Sequence, residues 1–271
     1  MNFINTIRRS FLILLLLVLI QPFSAYAGLG ARPAYLFVNL EKHNPSGTFT
    51  VTNVGNKSQT FRANAVHFAI TEKGAVEPVK PDGYSLAKWI KFNPKEFTLT
   101  PHSSREIRYS IIRRHKLKPR EYWGAIEFMP LKGQKYTGKT DASGHKMSFQ
   151  VLTALLIPIF GQTTGITYSG SVSDITAKDI KQKTGYTALV VNKGSGVLRL
   201  QGNLEILDKK TGANISTAKV GIFNVLPEQK RRIKIFGSDK LAKGLYTAII
   251  RLKQSGPKKL ILSYQQEIKL Q

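Results

Sequence analysis

Residues 147–160 read MSFQVLTALLIPIF, the longest apolar run beyond the first 27 residues. Successive side chains of a β-strand point to opposite faces. In an extended strand here, Phe149, Val151, Thr153, Leu155 and Ile157 share one face, and the opposite face is also largely apolar. A strand that is apolar on both sides is covered on both. The two apolar faces could be covered by a protein partner or by neighbouring elements of the protein's own core. The sequence of the run does not distinguish these two interpretations.

Short alternating runs surround this strand in both directions. Examples are residues 48–52 (TFTVT), 106–112 (EIRYSII), 122–129 (YWGAIEFM), 186–191 (YTALVV) and 245–252 (LYTAIIRL). Gly, Asn and Pro separate them, and no long stretch has the apolar spacing of a helix. The pattern predicts an all-β protein of two β-sandwiches, residues 28–162 and 163–271, each near the usual size of about 100 residues. The polar residues 131–145 (LKGQKYTGKTDASGH) predict a loop before the long strand.

The first 27 residues have the pattern of a cleavable signal peptide. Arg8 and Arg9 precede the apolar residues 11–20 (FLILLLLVLI), and Ala25-Tyr26-Ala27 provides an A-x-A cleavage site. Ten apolar residues are too few for a transmembrane helix, which needs about 20. We therefore expect an exported chain that begins at Gly28 and has no stable insertion in the membrane.

Composition excludes several classes of function. The chain of 271 residues has no Cys, so disulfides, thiol nucleophiles and cysteine metal sites are excluded. No nucleotide-binding loop or G-x-S-x-G motif occurs, the five His residues are scattered, and acidic residues are few. We expect a protein that is not an enzyme and that uses no metal or cofactor.

The net charge of +25 favours anionic surroundings. Without Arg8 and Arg9 it is still +23, but an exported protein does not normally meet nucleic acid. The densest basic segments are residues 112–120 and 230–232. They are either ordinary solvated surface or a contact for an acidic partner or an envelope polyanion.

Ordered motifs over about 130 residues resemble the periplasmic chaperones of pilus assembly, the chaperone–usher type. The motifs are Pro33, the turn Thr52-Asn53-Val54-Gly55, residues 94–101 (PKEFTLTP) leading to Arg108, residues 119–123 (PREYW), the polar loop and the long strand. The resemblance assigns structural roles to six residues: Asn53, Gly55, Pro94, Pro101, Arg108 and Glu121.

The resemblance implies two immunoglobulin-like sandwiches with a cleft between them. It also implies that the long strand is donated to a pilin-like subunit, which is a sandwich missing one strand. Phe149, Val151, Thr153, Leu155 and Ile157 would then be the residues that bind the subunit. The implied partners are exported pilin-like subunits and an outer-membrane usher, in the periplasm of a Gram-negative bacterium.

Two positions depart from the family pattern. Family members clamp the carboxylate at the subunit's C-terminus with an Arg in a P-x-R element and a Lys in the long strand. Here Tyr35 stands at the position of that Arg, and Pro158 stands near that of the Lys. Arg32 is a possible replacement anchor. An alternative to the chaperone hypothesis is a non-catalytic envelope protein that binds an anionic partner such as lipopolysaccharide.

Overall fold

The computed structural model describes residues 28–113, 117–140, 146–180, 182–256 and 259–270. The predicted signal peptide and residues 114–116 of the first basic segment lie outside the described residues. The described part of the chain contains β-strands and no α-helix, which confirms the predicted all-β class.

The first sandwich consists of two sheets. Sheet A has the strand order β1-β3-β8-β6, and sheet B has the order β2-β12-β9-β4-β5, with β7 also paired to β4. Their bounds are β1 (Leu29–Arg32), β2 (Leu36–Asn39), β3 (Ser46–Asn53), β4 (Gln59–Ile70), β5 (Val76–Val79), β6 (Ile90–Asn93), β7 (Glu96–Leu99), β8 (Ser104–Ile111), β9 (Glu121–Pro130) and β12 (Leu155–Gln162).

A separate two-stranded ribbon extends from sheet B between β9 and β12. It consists of β10 (Gln134–Thr140) and β11 (Lys146–Val151), which pair antiparallel. The predicted loop at residues 131–145 is therefore partly wrong, because residues 134–140 form a strand. Residues 141–145 lie outside the described residues.

The second sandwich also has two sheets. Sheet C has the order β13-β14-β17, and sheet D has the order β16-β15-β18-β19. The strands are β13 (Gly170–Ile180), β14 (Lys183–Asn192), β15 (Leu198–Asp208), β16 (Asn214–Val225), β17 (Lys230–Phe236), β18 (Gly244–Gln254) and β19 (Ile261–Leu270).

Alternation along the strands builds a core in each sandwich. In β3, Phe49 and Val51 are buried while Thr50 between them is not, as a period of two requires. The first core lies between sheets A and B and includes Ile107 and Ile126. The second lies between sheets C and D and includes Leu204 and Ile250.

A third apolar cluster joins the two sandwiches. Phe68, Trp123 and Phe160 from sheet B pack in it with Val197 and Leu226 of the second sandwich. Sheet B is therefore covered on both faces where this cluster lies, by the first core and by the second sandwich.

Candidate functional site

The long apolar stretch is divided between two strands. Residues 146–151 form β11, residues 155–162 form β12, and the three residues between them are not in a strand. The single strand predicted over residues 147–160 is therefore wrong in its continuity. The partners also change at the break, from β10 before it to β9 and β2 after it.

The β12 half belongs to the protein's own interior. Ile157 is 1% exposed in the first core, and Leu155 packs against the same core. On the opposite face, Leu156 and Phe160 pack in the cluster between the sandwiches. The two apolar faces of β12 are thus explained by two internal contacts. Ile157 was predicted to bind a subunit, and in the free protein its side chain lies in the first core.

Residues 151–153, just before β12, are exposed. Val151 is 43% exposed and Leu152 is 51% exposed, and Thr153 is exposed as well. Phe149 lies on β11 opposite Tyr136 of β10. The chain thus exposes large apolar side chains at two consecutive positions just before β12.

Along residues 146–158, one side of the backbone has no neighbouring strand among the described residues. β12 pairs with β9 along its whole length, but β2 pairs with it only from Ile159 onward. β10 continues β9, so β11 is paired on that same side. We call the opposite side of residues 146–158 the open edge. Its length, its exposed apolar side chains and its end at the start of β2 make it the candidate site.

The predicted anchor region lies where the open edge ends. The parallel register places Leu36 opposite Ile159, so Tyr35 and Pro158 immediately precede the first pair. Pairing with β9 continues through Pro158, whereas pairing with β2 begins after it. The register thus places Tyr35 and Pro158, the two positions that differ from the family pattern, next to each other in the sheet. Neither side chain carries a charge.

Aromatic side chains occupy this end of the edge. Tyr35 is 54% exposed and Phe37 is 49% exposed, and their rings meet edge to face with centroids 5.4 Å apart. Arg32 is exposed at the end of β1, opposite Thr50. Its proposed role as a carboxylate anchor remains a prediction.

Asn53 closes the turn that the T-N-x-G motif predicts. Its buried side-chain Nδ2 donates to the carbonyl oxygens of Lys57 at 2.8 Å, Leu99 at 3.1 Å and Thr100 at 3.2 Å. Its Oδ1 accepts a hydrogen bond from the backbone N–H of Gly55 at 3.0 Å. These bonds tie the end of β3 to the end of β7, which is a structural role.

The other motif residues lie around the same sheets. Pro94 stands between β6 and β7, and Pro101 follows β7 in a turn closed by a 3.2 Å bond from the Ser103 N–H to the Thr100 carbonyl. The Arg108 side chain is 83% exposed on sheet A, 3.8 Å from Glu106. Arg108 therefore contributes little to the core.

Glu121 joins the sandwiches, a role that its motif did not reveal. Its carboxylate is completely buried. Arg199 of the second sandwich donates to it through Nη2 at 2.5 Å and through Nη1 at 3.3 Å, and the Val197 N–H donates at 2.9 Å. The Arg199 guanidinium also lies 4.7 Å from the Phe37 ring and 4.5 Å from the Phe160 ring. The ion pair therefore packs against the beginning of β2.

A stack of side chains forms a second junction. His67 lies against Trp123 with ring centroids 5.3 Å apart, Trp123 against Tyr84 at 5.0 Å, and Arg120 over Tyr84 at 4.1 Å. The Tyr84 hydroxyl donates to Glu228 of the second sandwich at 2.5 Å. Burial, followed by this hydrogen bond, raises the pKa of Tyr84 to about 12.

The second basic segment takes part in a third junction. Lys230 and Arg232 lie 3.1 Å and 3.5 Å from the carboxylate of Glu72 in the first sandwich, and Arg232 also pairs with Asp174 at 2.7 Å. The hydrogen bond from Lys230 lowers the pKa of Glu72. Much of this segment's charge is matched internally.

The described residues contain no group of three or more His, Asp or Glu side chains placed to hold a metal ion. They also contain no helix with the length and apolar character needed to cross a membrane.

Comparisons with known proteins find likeness at the level of structure. No protein-family model matches the chain, and no curated protein matches it. The chaperone–tip adhesin complex of CFA/I fimbriae biogenesis matches at 14% identity with a TM-score of 0.46, covering 89% of this chain and 99% of that one. The class 5 fimbriae chaperone CfaA matches at 13% identity with a TM-score of 0.45, over 90% and 100% of the two chains.

The CsuC–CsuE chaperone–tip adhesion subunit complex of Acinetobacter baumannii matches at 12% identity with a TM-score of 0.44, over 89% and 98% of the chains. All three structures are similar to this chain over most of its length. Because each of the three TM-scores is below 0.5, these likenesses decide neither function nor partner.

Proposed function

We propose that this protein is a non-catalytic periplasmic chaperone that binds exported pilin-like subunits along the open edge and delivers them to an outer-membrane usher. The observation that carries the proposal is the open edge itself. It is a line of backbone at residues 146–158, apolar and exposed in its central part.

Strand addition is the chemistry that such an edge supports. Unpaired N–H and C=O groups of an edge strand form a template for another strand. Ladder hydrogen bonds would provide affinity, and Val151 and Leu152 would fill pockets of the partner. On the same side of the chain, β2 pairs with β12 from Ile159 onward. An added strand beside residues 146–158 would therefore lie end to end with β2 in the sheet. This action requires no catalytic group, cofactor or metal.

The alternative, an envelope protein that binds a polyanion, has less support. This alternative depends on the two basic segments as binding surfaces. In one of them, residues 230–232, two cations already form ion pairs with Glu72 and Asp174. Part of the other segment lies outside the described residues. The edge therefore favours a protein strand as the ligand.

Replacing Val151 with Asp tests the proposal. The side chain is 43% exposed in the free protein, so the fold should tolerate a carboxylate there. Inside a partner's groove the same carboxylate would be buried without a counterion, which costs several kcal/mol. About 3 kcal/mol weakens binding by roughly a hundredfold. The measurement is the amount of subunit that co-purifies with the protein from periplasm, beside the thermal stability of the free variant.

The matched control is Ile222→Asp on β16 of the second sandwich, where the side chain is 68% exposed. We expect this variant to retain its partner. Undiminished capture by Val151→Asp would contradict binding at the edge. Unfolding of free Val151→Asp would show that Val151 is a core residue, and this outcome too would refute the proposal.

A further inference from the structure

Glu127 lies on the face of sheet B that points away from the first core. In the register of the sheet it stands opposite Asn64 of β4 on one side and opposite Leu156 of β12 on the other. Leu156 packs against the cluster between the sandwiches, so the Glu127 side chain lies on the same face as that cluster. β12 lies between Glu127 and the open edge.

The Glu127 carboxylate is half-buried and unmatched. Within the part of the chain that the structure describes, no cation pairs with it and no group donates a hydrogen bond to it, although the chain has 41 basic residues against 16 acidic ones. The other described acidic residues have a hydrogen-bond or ion-pair partner, except Glu77, which is exposed on β5. Glu127 therefore combines partial burial with a charge that the protein itself does not match.

The groups around Glu127 are mostly apolar. On the same face of β9 its neighbours are Ala125, which is buried, and Met129, which is half-buried. Arg62 stands opposite Met129, but its guanidinium pairs with Glu96 at 3.0 Å. A partly buried carboxylate beside apolar groups is stabilised by an opposite charge next to it.

A cation on an added strand would reach Glu127 across β12. Neighbouring strands lie about 4.8 Å apart, so the backbone of the added strand would lie about 10 Å from that of β9. Lys and Arg bury their stems along apolar surface while the charged end meets a polar group, and Leu156 provides that surface. Sheet D contains a pair of this kind. Lys209, directly after β15, pairs with Glu267 of β19 at 2.5 Å, and β18 lies between the two strands.

We propose that Glu127 selects a partner strand that carries a Lys or Arg on the face shared with Leu156. This inference rests on the proposed function, because it describes the occupant of the same edge. The ion pair would also fix the position of the strand along the edge, since sliding would separate the two charges. The net positive charge of the chain acts in the opposite direction, because it attracts acidic strands. A preference for a cation at one position therefore distinguishes Glu127 from the overall charge.

Synthetic peptides provide the test. Each fluorescent peptide is long enough to cover residues 146–158 and alternates Val with Thr. One Thr is replaced by Lys, Gln or Glu, the replaced position moves along the peptide through the series, and each sequence is made in both chain directions. Binding to the full protein is measured by anisotropy at about 0.15 M ionic strength, where a Debye length of about 8 Å leaves distant charges largely screened.

We expect one position at which the Lys peptide binds about fivefold more tightly than the Gln peptide, the effect of a single ion pair at the upper end of the range for exposed pairs. The Glu peptide should bind most weakly at that position. At the other positions Lys should give no advantage over Gln.

Variants of the protein assign the preference to one side chain. Glu127→Gln keeps the size of the side chain and removes its charge, so it should abolish the preference for Lys. Glu127→Lys should reverse the order of the Lys and Glu peptides. The control Glu77→Gln makes the same change in net charge at the opposite edge of sheet B and should retain the wild-type preference. Thermal unfolding of each free variant measures whether its fold is intact.

The outcomes separate this inference from the proposed function. The absence of a Lys preference at every position, or a Lys preference that survives Glu127→Gln, would overturn the role of Glu127. If the peptides still bind in that case and Val151→Asp weakens them, strand binding at the edge stands without this selection. If no peptide binds, both the inference and the open edge as a binding site fail.

Discussion

Asn53 and Asn192 share three hydrogen bonds of the same kind in the two sandwiches, and Asn53 makes a fourth to the Thr100 carbonyl. Each ends a strand, and each Oδ1 accepts from the N–H two residues later, at 3.0 Å from Gly55 and 2.9 Å from Gly194. Each Nδ2 donates to the carbonyl four residues later. It also donates to the last residue of another strand, Leu99 of β7 for Asn53 and Val225 of β16 for Asn192. The side chain therefore serves as a fixed link between neighbouring strand ends.

Replacing Asn53 with Ala should destabilise the protein by about 2–4 kcal/mol, because buried backbone groups would lose their partners. Asn53→Asp should be similarly damaging, since a carboxylate would face three carbonyl oxygens in place of the amide donor. Urea unfolding measures the loss, with Asn203→Ala at an exposed position of β15 as the control, expected within about 0.5 kcal/mol of the wild type. A loss at Asn53 no larger than at Asn203 would contradict the linking role.

For Asn53, the sequence predicted the turn but not the hydrogen bonds to carbonyl groups distant in the chain. The N-x-G pattern after an alternating strand indicated the turn at Asn53. The same pattern recurs as Asn192-Lys193-Gly194 after β14, so comparing the two halves could have revealed the second link. The acceptors at Leu99 and Val225 are distant in sequence, and no local pattern specifies them.

Strand β12 lies at the boundary between interior and exposed surface. Its sequence continues the apolar character of β11 without a turn residue, so composition gives no sign of the break at residues 152–154. The break reflects a change of neighbours, from the ribbon partner β10 to the two flanking strands β9 and β2. The alternative of a core strand is therefore correct for residues 155–162, and the exposed half precedes it.

This division predicts that substitution by Asp has very different effects on stability at two nearby positions. Ile157→Asp would bury an unpaired charge in the first core, and we expect it to prevent folding or lower stability by several kcal/mol. Thr153→Asp lies at an exposed position and should leave the midpoint of thermal unfolding within a few degrees of the wild type. Soluble yield and thermal unfolding measure both. A stable Ile157→Asp variant would show that β12 is not covered as described.

The arrangement of the whole molecule depends on contacts that connect distant parts of the chain. Glu121 and Arg199 are 78 residues apart, and the motif that contains Glu121 marks only a turn into a strand. No sequence pattern indicated that its partner would come from the second sandwich. Positive charge is spread evenly along the sequence, so the sequence likewise did not indicate that Lys230 and Arg232 pair with Glu72 across the junction.

Replacing Arg199 with Met should leave the Glu121 carboxylate buried without its ion partner, at a cost of about 3–5 kcal/mol. Because the pair joins β9 to β15, the loss should appear as weaker coupling between the sandwiches. We expect calorimetry to show one unfolding transition for the wild type and two for the variant.

The control Arg251→Met breaks a 2.7 Å pair within sheet D whose arginine side chain is 53% exposed, and should cost less than about 1 kcal/mol of stability. The double variant Glu121→Leu and Arg199→Met removes both charges and should recover much of the stability, since apolar replacements of a buried pair are often neutral. If Arg199→Met unfolds like Arg251→Met, the buried pair does not hold the sandwiches together, and the apolar cluster around Trp123 alone sets their arrangement.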